Sequence, residues 1–175
     1  HARLAVWDGY FIIDKVCFAI SKTTDIQTWI ITKQRKYRIP NHRVIVDEDG
    51  VGGGVVDNCD CNGFVNNSTA MQGENYQNLQ TQCGYKLAEH INAHEVGIDE
   101  DLVSQADREQ ITRELEQLQT WKADSDGKLK LKPKEEIKVE IGCSPDWRDM
   151  FLMRCWFDYN EVDIPDNIER ILGLT

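Results

Sequence analysis

The stretch that most constrains what this chain can fold into is 43–57, which reads RVIVDEDGVGGGVVD. Val44, Ile45 and Val46 form a short, continuously apolar, β-branched run, which suits a strand buried on both faces of a sheet. That strand ends in acid: Asp47, Glu48 and Asp49 follow at once, and then Gly50, Gly52, Gly53 and Gly54 around Val51. The glycines let the backbone turn sharply and a helix begin close against the strand's C-terminal edge, where open α/β sheets place their chemistry. A phosphate cradle does not fit, because Val55 stands where the dinucleotide pattern needs its third glycine and no G-K-[ST] occurs. Three carboxylates would attract a phosphate only through a divalent cation, for which hard oxygen ligands are suited. The same acids also suit a plain strand-to-helix turn in which they favour the helix N-terminus, and spacing alone leaves both readings open.

The flanking sequence supplies the grammar of an α/β sheet with an antiparallel edge. His1–Trp7 and Tyr10–Ile20 read as strands joined by the hairpin signal Asp8-Gly9. Because a domain rarely starts inside a strand, a further segment upstream of His1 is expected. Thr24, with Gln27 three residues on, is expected to cap a helix whose buried stripe is Ile26, Trp29 and Ile30, and Pro40 follows its end. Gly63–Ser68 reads as a short strand running into a polar loop. Asn75–Ala93 repeats Tyr76, Leu79, Cys83, Leu87 and Ile91 at helical spacing. A second helix, about 105–119, is expected to open on Ser104, bury Ile111, Leu115 and Leu118, and turn Asp107, Arg108, Glu109, Arg113, Glu114 and Glu116 to water. Trp121–Leu131 is expected to form a hairpin about Asp124-Ser125-Asp126-Gly127. The chain reads as one domain, 1–175, with about 159–175 as a C-terminal tail.

A formal charge of −10 and a pI near 4.8 exclude a large basic face, so any nucleic-acid contact must be local or metal-bridged. The concentrated basic segment is Lys128, Lys130, Lys132, Lys134 and Lys138. On a strand Lys128, Lys130 and Lys132 would share one face and could follow a phosphate backbone, or merely keep an exposed hairpin soluble. Cys59 and Cys61 are too close for a zinc knuckle, and the six scattered cysteines suit reduced, packed thiols in a cytoplasmic protein. These residues contain no signal-peptide pattern and no apolar run long enough to span a bilayer. His42, His90 and His94 read as exposed or packed rather than as ligands.

A second acidic feature is SPDWRD, 144–149. Gly142 is expected to stop a short helix, Ser144 to cap the next, and Pro145 to take its first position. Asp146 and Asp149, three apart, then share a face, and Met150, Met153 and Phe157 continue that stripe toward the core. First-turn acids commonly serve the helix dipole. Two acids on a core-facing stripe ask for more than that.

VIVDEDGVGGGVVD, GFVNNS, NYQNLQTQCGYKLAEHI and SPDWRDMFLMR, in this order and spacing, resemble the C-terminal nuclease domain of phage and prophage terminase large subunits over about residues 2–158. The resemblance implies an RNase H-like α/β fold, a mixed sheet flanked by helices, and a divalent-metal-dependent endonuclease that cuts concatemeric phage DNA during packaging. Asp47 matches the acid before the glycine turn, and Asp146, with Asp149 beside it, matches the acid of the C-terminal helix. A further acid, on a central strand between the hairpin and Val44–Val46, is expected upstream of His1. Two Mg2+ or Mn2+ ions held by Asp47, Asp146 and Asp149 would hydrolyse the phosphodiester. Glu48 and Asp49 suit either support of that site or a turn. The implied partners are double-stranded DNA, the upstream ATPase domain, the portal and the small terminase subunit, in the cytoplasm of a bacterial host, with no membrane. The alternatives are a catalytically impaired DNA- or partner-binding module and another RNase H-like enzyme such as a resolvase or integrase.

Overall fold

Gly9, at φ 57°, turns the chain between β1 (Ala2–Asp8) and β2 (Phe11–Phe18), which pair antiparallel with a bulge between Val6 and Trp7. The computed structural model describes residues 2–20, 22–49, 52–122 and 127–160. The expected Asp124–Asp126 turn, Gly50, Val51 and the tail from 161 lie outside the described residues.

Helix α1 (Thr23–Tyr37) packs Ile30, with Ile26 and Trp29 beside it, against Val55 and Cys59. Its anticipated capping box is absent. The helix already begins at Thr23, and Lys22, which precedes it, makes no side-chain cap. Gln27 instead donates to the Gly54 carbonyl at 3.4 Å, joining α1 to α2 (Gly53–Cys59). The other tie is to the hairpin. Asp14 on β2 accepts from Lys33 at 2.6 Å, Tyr37 at 2.8 Å and Lys36 at 3.4 Å. Burial pushes the Asp14 carboxyl up, but these donors overcome it and hold it below its ordinary value.

Strand β3 (Ile45–Asp47) pairs parallel with β4 (Asn62–Phe64), and α2 is the crossover between them. Helix α3 (Leu79–Asn92) starts later than its spacing suggests, because Asn78 caps it by accepting from the Thr81 amide at 2.9 Å. β5 (Gly97–Ile98) then adds parallel to β2. The capping box at Ser104 is present on α4 (Gln105–Leu115), with Asp107 as its reciprocal partner. Lys134–Ile141 forms α5, which stops as expected at Gly142, φ 77°. Asp146–Arg154 forms α6, followed by a short α7 (Trp156–Tyr159).

The described strands form two sheets, β1-β2-β5 and β3-β4. Both present the same alternation to the same two helical layers. Leu4, Val44 and Val46 face the cluster of α1 and α2, whereas Ala5, Trp7 and Ile45 face the larger core of α3, α4 and α6. The two sheets thus occupy one layer. A cavity of about 590 Å³ separates β1 from β3, roofed by Trp29 and Ile30 and floored by Met150 and Met153.

All six cysteines are free thiols, with Cys59, Cys83 and Cys155 buried. His90 is packed, stacked on Tyr10 at 3.9 Å and bonded to Asp158 and Glu95, while His42 and His94 are exposed. Among the described residues no helix is long and apolar enough to cross a membrane.

The glycine turn has a strict steric basis at one position. A Cβ on Gly52 would lie 1.6 Å from the Asp47 carbonyl oxygen, whereas one on Gly54 meets nothing within 4 Å. Gly52→Ala should therefore lower stability by about 1–3 kcal/mol. Gly54→Ala, inside α2, should raise it by about 0.5–1 kcal/mol. Denaturant melts of the two variants measure the contrast.

Candidate functional site

At the C-terminal end of β3 the close approach of Gly52 starts α2 directly behind the strand, leaving Asp47 and Asp49 at the mouth of the cavity. Asn66, just after β4, ties these two acids together. Its side-chain Nδ2 donates to Asp47 Oδ1 at 3.2 Å and to Asp49 Oδ2 at 2.7 Å, and its backbone N–H donates to Asp49 Oδ2 at 3.2 Å. The Asp49 amide adds a bond to Asp47 Oδ1 at 3.1 Å. Glu48 points elsewhere. Its side chain lies over Gly63, where a Cβ would meet the Glu48 carboxylate at 1.9 Å.

The other side of the mouth is the first turn of α6. Asp146 and Asp149 both line the cavity, so acids far apart in sequence come to one edge of the sheet layer. Asp149 is the more constrained. Arg148, fully buried, grips Asp149 Oδ1 through Nε at 3.1 Å and Nη2 at 2.8 Å, and Lys134 at the start of α5 donates to Asp149 Oδ2 at 2.6 Å. Among the described residues no three of His, Cys, Asp and Glu converge closely enough to enclose an ion by themselves.

The electrostatics are those of a site short of positive charge. Burial, and then the neighbouring charges of Asp49 and Asp149, hold the half-buried Asp47 carboxyl above its ordinary value, against the pull of the Asp49 amide and of Lys134. Among the described residues the cations ion-paired with Asp47, Asp49, Asp146 or Asp149 are Lys134 and Arg148, and both are spent on Asp149. A divalent cation fits this donor set. Its ligands would be carboxylate oxygens, and its charge would relieve the repulsion at Asp47.

Glu114 was expected in water but is 2% exposed. It accepts from the Trp147 and Arg148 amides at 2.7 and 3.1 Å and from Gln110 Nε2 at 2.8 Å. It stands in for the anticipated Ser144 cap, since Pro145 precedes α6 and no side chain of the preceding residue caps the helix.

The lysine face is corrected at one position. Lys132 does not share an exposed face with Lys128 and Lys130. It is 7% exposed and its ammonium is bonded to Gln117 at 2.8 Å and paired with Glu140, so it cannot reach a phosphate. The segment does pair as a hairpin arm, Leu131 opposite Thr120, while Leu129 bonds to the backbone of Asn75 and Gln77 ahead of α3. Lys128 is exposed and Lys130 partly so. Sequence reasoning missed Asn66 and Lys134 as site residues. The first lay within GFVNNS, and the second was read as one of a run of lysines.

No family model matches this sequence, and no curated protein matches it. Among solved structures, the nuclease domain of the large terminase subunit gp2 of bacterial virus Sf6 is similar with a TM-score of 0.67, at 18% identity, over 84% of this chain and 78% of that one. A Lys-to-Ala mutant of that domain with manganese also gives 0.67, at 18% identity, over 84% and 79%. The mutant with calcium gives 0.65, at 18% identity, over 84% and 78%. The likeness is one of fold: this chain has the RNase H-like α/β architecture of that nuclease domain.

Because burial and like charges raise the Asp47 pKa in the folded state, ionising it on folding lowers stability, and the loss sets in as pH rises from the ordinary carboxylate value through the raised one. Asp47→Asn should therefore melt higher than wild type at neutral pH, with the gap closing below the ordinary carboxylate range. Mn2+ should raise the melting temperature of wild type and leave Asp47→Asn unmoved. Calorimetric scans across pH, with and without Mn2+, check both.

Proposed function

We propose that this chain is the nuclease domain of a phage or prophage terminase large subunit, a divalent-metal-dependent endonuclease that cuts concatemeric DNA during packaging. The observation that carries the reading is that Asp47, Asp49, Asp146 and Asp149 line one cavity, with Asp149 close enough to act on the Asp47 carboxyl, in a fold shared with such a domain. When bound, Mg2+ or Mn2+ would take up negative charge developing on the phosphate and lower the pKa of an attacking water. Asp47, Asp146 and Asp149 supply the oxygens that hold the cations. Asn66 fixes the rotamers of Asp47 and Asp49, and Arg148 fixes that of Asp149. Lys134 neutralises Asp149, and its ammonium would be a donor to a phosphate oxygen at the site. The substrate is double-stranded DNA, approached locally because the chain as a whole is acidic, with Lys128 and Lys130 as candidate phosphate contacts. The ATPase motor, portal and small terminase subunit are the partners this reading implies, in the host cytoplasm.

The cavity between β1 and β3 belongs to the same proposal. An extended, apolar segment from upstream would bury alternate side chains against α1 and α6, pair with both edges, and bring a further carboxylate to the mouth. A second reading, a binding module with impaired catalysis, is favoured by the absence of three converging acids among the described residues and by the saturation of Asp149.

Plasmid cleavage in Mn2+ separates the two. A form extended upstream through one further strand ending in Asp should cut faster than residues 1–175, and Asp47→Ala should abolish cutting in both. Asn66→Ala should weaken Mn2+ binding about 10- to 100-fold, since it removes the group that orients two carboxylates. Mn2+ binding without cleavage in either form points to the binding module.

A further inference from the structure

Helix α6 opens after a proline, and neither Pro145 nor Ser144 gives its first turn a side-chain acceptor. The Asp146 amide is satisfied by the Ser144 carbonyl at 2.9 Å, and the Asp149 amide by the Pro145 carbonyl at 3.0 Å. The two amides between them, of Trp147 and Arg148, have only Glu114, whose Oε2 accepts from both. A cap normally comes from the residue just before its helix. Here it comes from the last turn of another helix, so the start of α6 is fixed to α4 rather than to its own loop.

The surrounding contacts reinforce this attachment. Trp147 lies between the Arg3 guanidinium and the Lys15 ammonium, each 5.1 Å from its ring, and Lys15 is paired with Asp107 in the first turn of α4 at 3.2 Å. Gln110, one turn before Glu114, steadies the other carboxylate oxygen. Burial, with a further push from Asp146, holds the Glu114 carboxyl above its ordinary value although Gln110 and the two amides pull it down. A carboxylate taken this fully from water is costly unless its bonds are needed.

We infer that Glu114 is a positioning residue for the candidate metal site, fixing the height and rotation of the first turn of α6 so that Asp146 and Asp149 meet Asp47 across the cavity mouth. The inference rests on the metal reading given above. Glu114 touches no substrate or ion itself. Its effect passes through two backbone amides flanked on either side by the acids concerned.

Mn2+ titration calorimetry on the folded chain tests it. Glu114→Ala should weaken Mn2+ binding about 10-fold or more, as loss of an orienting partner does. Glu114→Gln, which keeps an acceptor oxygen on the two amides, should bind nearly as wild type. If Glu114→Ala does not fold, Glu114→Asp substitutes for it: shorter by one methylene, it should bind Mn2+ more weakly than Glu114→Gln. Leu87→Ala, a core change on α3 at a residue that makes none of the cap's hydrogen bonds, is the control for lost stability and should leave Mn2+ affinity unchanged at temperatures well below its melt. Wild-type affinity in folded Glu114→Ala or Glu114→Asp, with binding still lost in Asp47→Asn, overturns this inference alone. No Mn2+ binding by wild type overturns the metal reading and this inference with it.

Discussion

The backbone of Gly52 lies so close to the Asp47 carbonyl that a side chain there would overlap it, and the arrangement of the acidic mouth depends on that approach. It sets the start of α2 against the end of β3, so the acid that closes the strand stands on a backbone fixed by that contact. It also brings Val55 and Cys59 under Val44 and Val46, closing the smaller core against α1. Local steric permission and tertiary packing are here the same contact. The polar consequence follows from it, because Asp47 leaves the strand half-buried and beside Asp49 before any counter-charge is met.

That counter-charge is unevenly spread. Asp149 has both Arg148 and Lys134, while Asp47 has hydrogen bonds but no ion pair among the described residues. Hydrogen bonds orient a carboxylate without neutralising it, so the Asp47 side of the mouth keeps its repulsion. Residual strain of this kind is common where a fold holds groups for chemistry rather than for stability.

Much of this was legible in the sequence, and the rest was not for definite reasons. A β-branched run followed by acids and glycines is a local pattern, and β3 and α2 form as that pattern suggests. The apolar spacing of Leu79, Cys83 and Leu87 likewise identified α3. Glu114 was unreadable from its own helix, where its neighbours are charged and exposed; its burial is decided by the needs of a helix thirty-odd residues on. The one available signal was Pro145, which starts a helix without offering it an acceptor. Lys132 failed in the same way. Alternation with Leu129 and Leu131 put it on a common face with Lys128 and Lys130, but Gln117 and Glu140, brought in by neighbouring elements, made a buried site for it. The division of the strands into two sheets left no local trace either, since β1 and β3 each carry a normal two-faced pattern.

The split has a consequence in time. β1 and β2 close through a tight turn, and β3 and β4 through a seven-residue helix, so each pair can form as soon as its own short stretch of chain is available. On the face away from α1 and α2, α6 packs on both β1 and β3 and also contacts α3 and α4. During synthesis from the N-terminus the two sheets therefore wait, each with an apolar face uncovered, until Arg154 has left the ribosome. The helix that carries two of the candidate site's acids thus arrives after all five described strands, and the packing that joins the sheets on this face brings those acids with it.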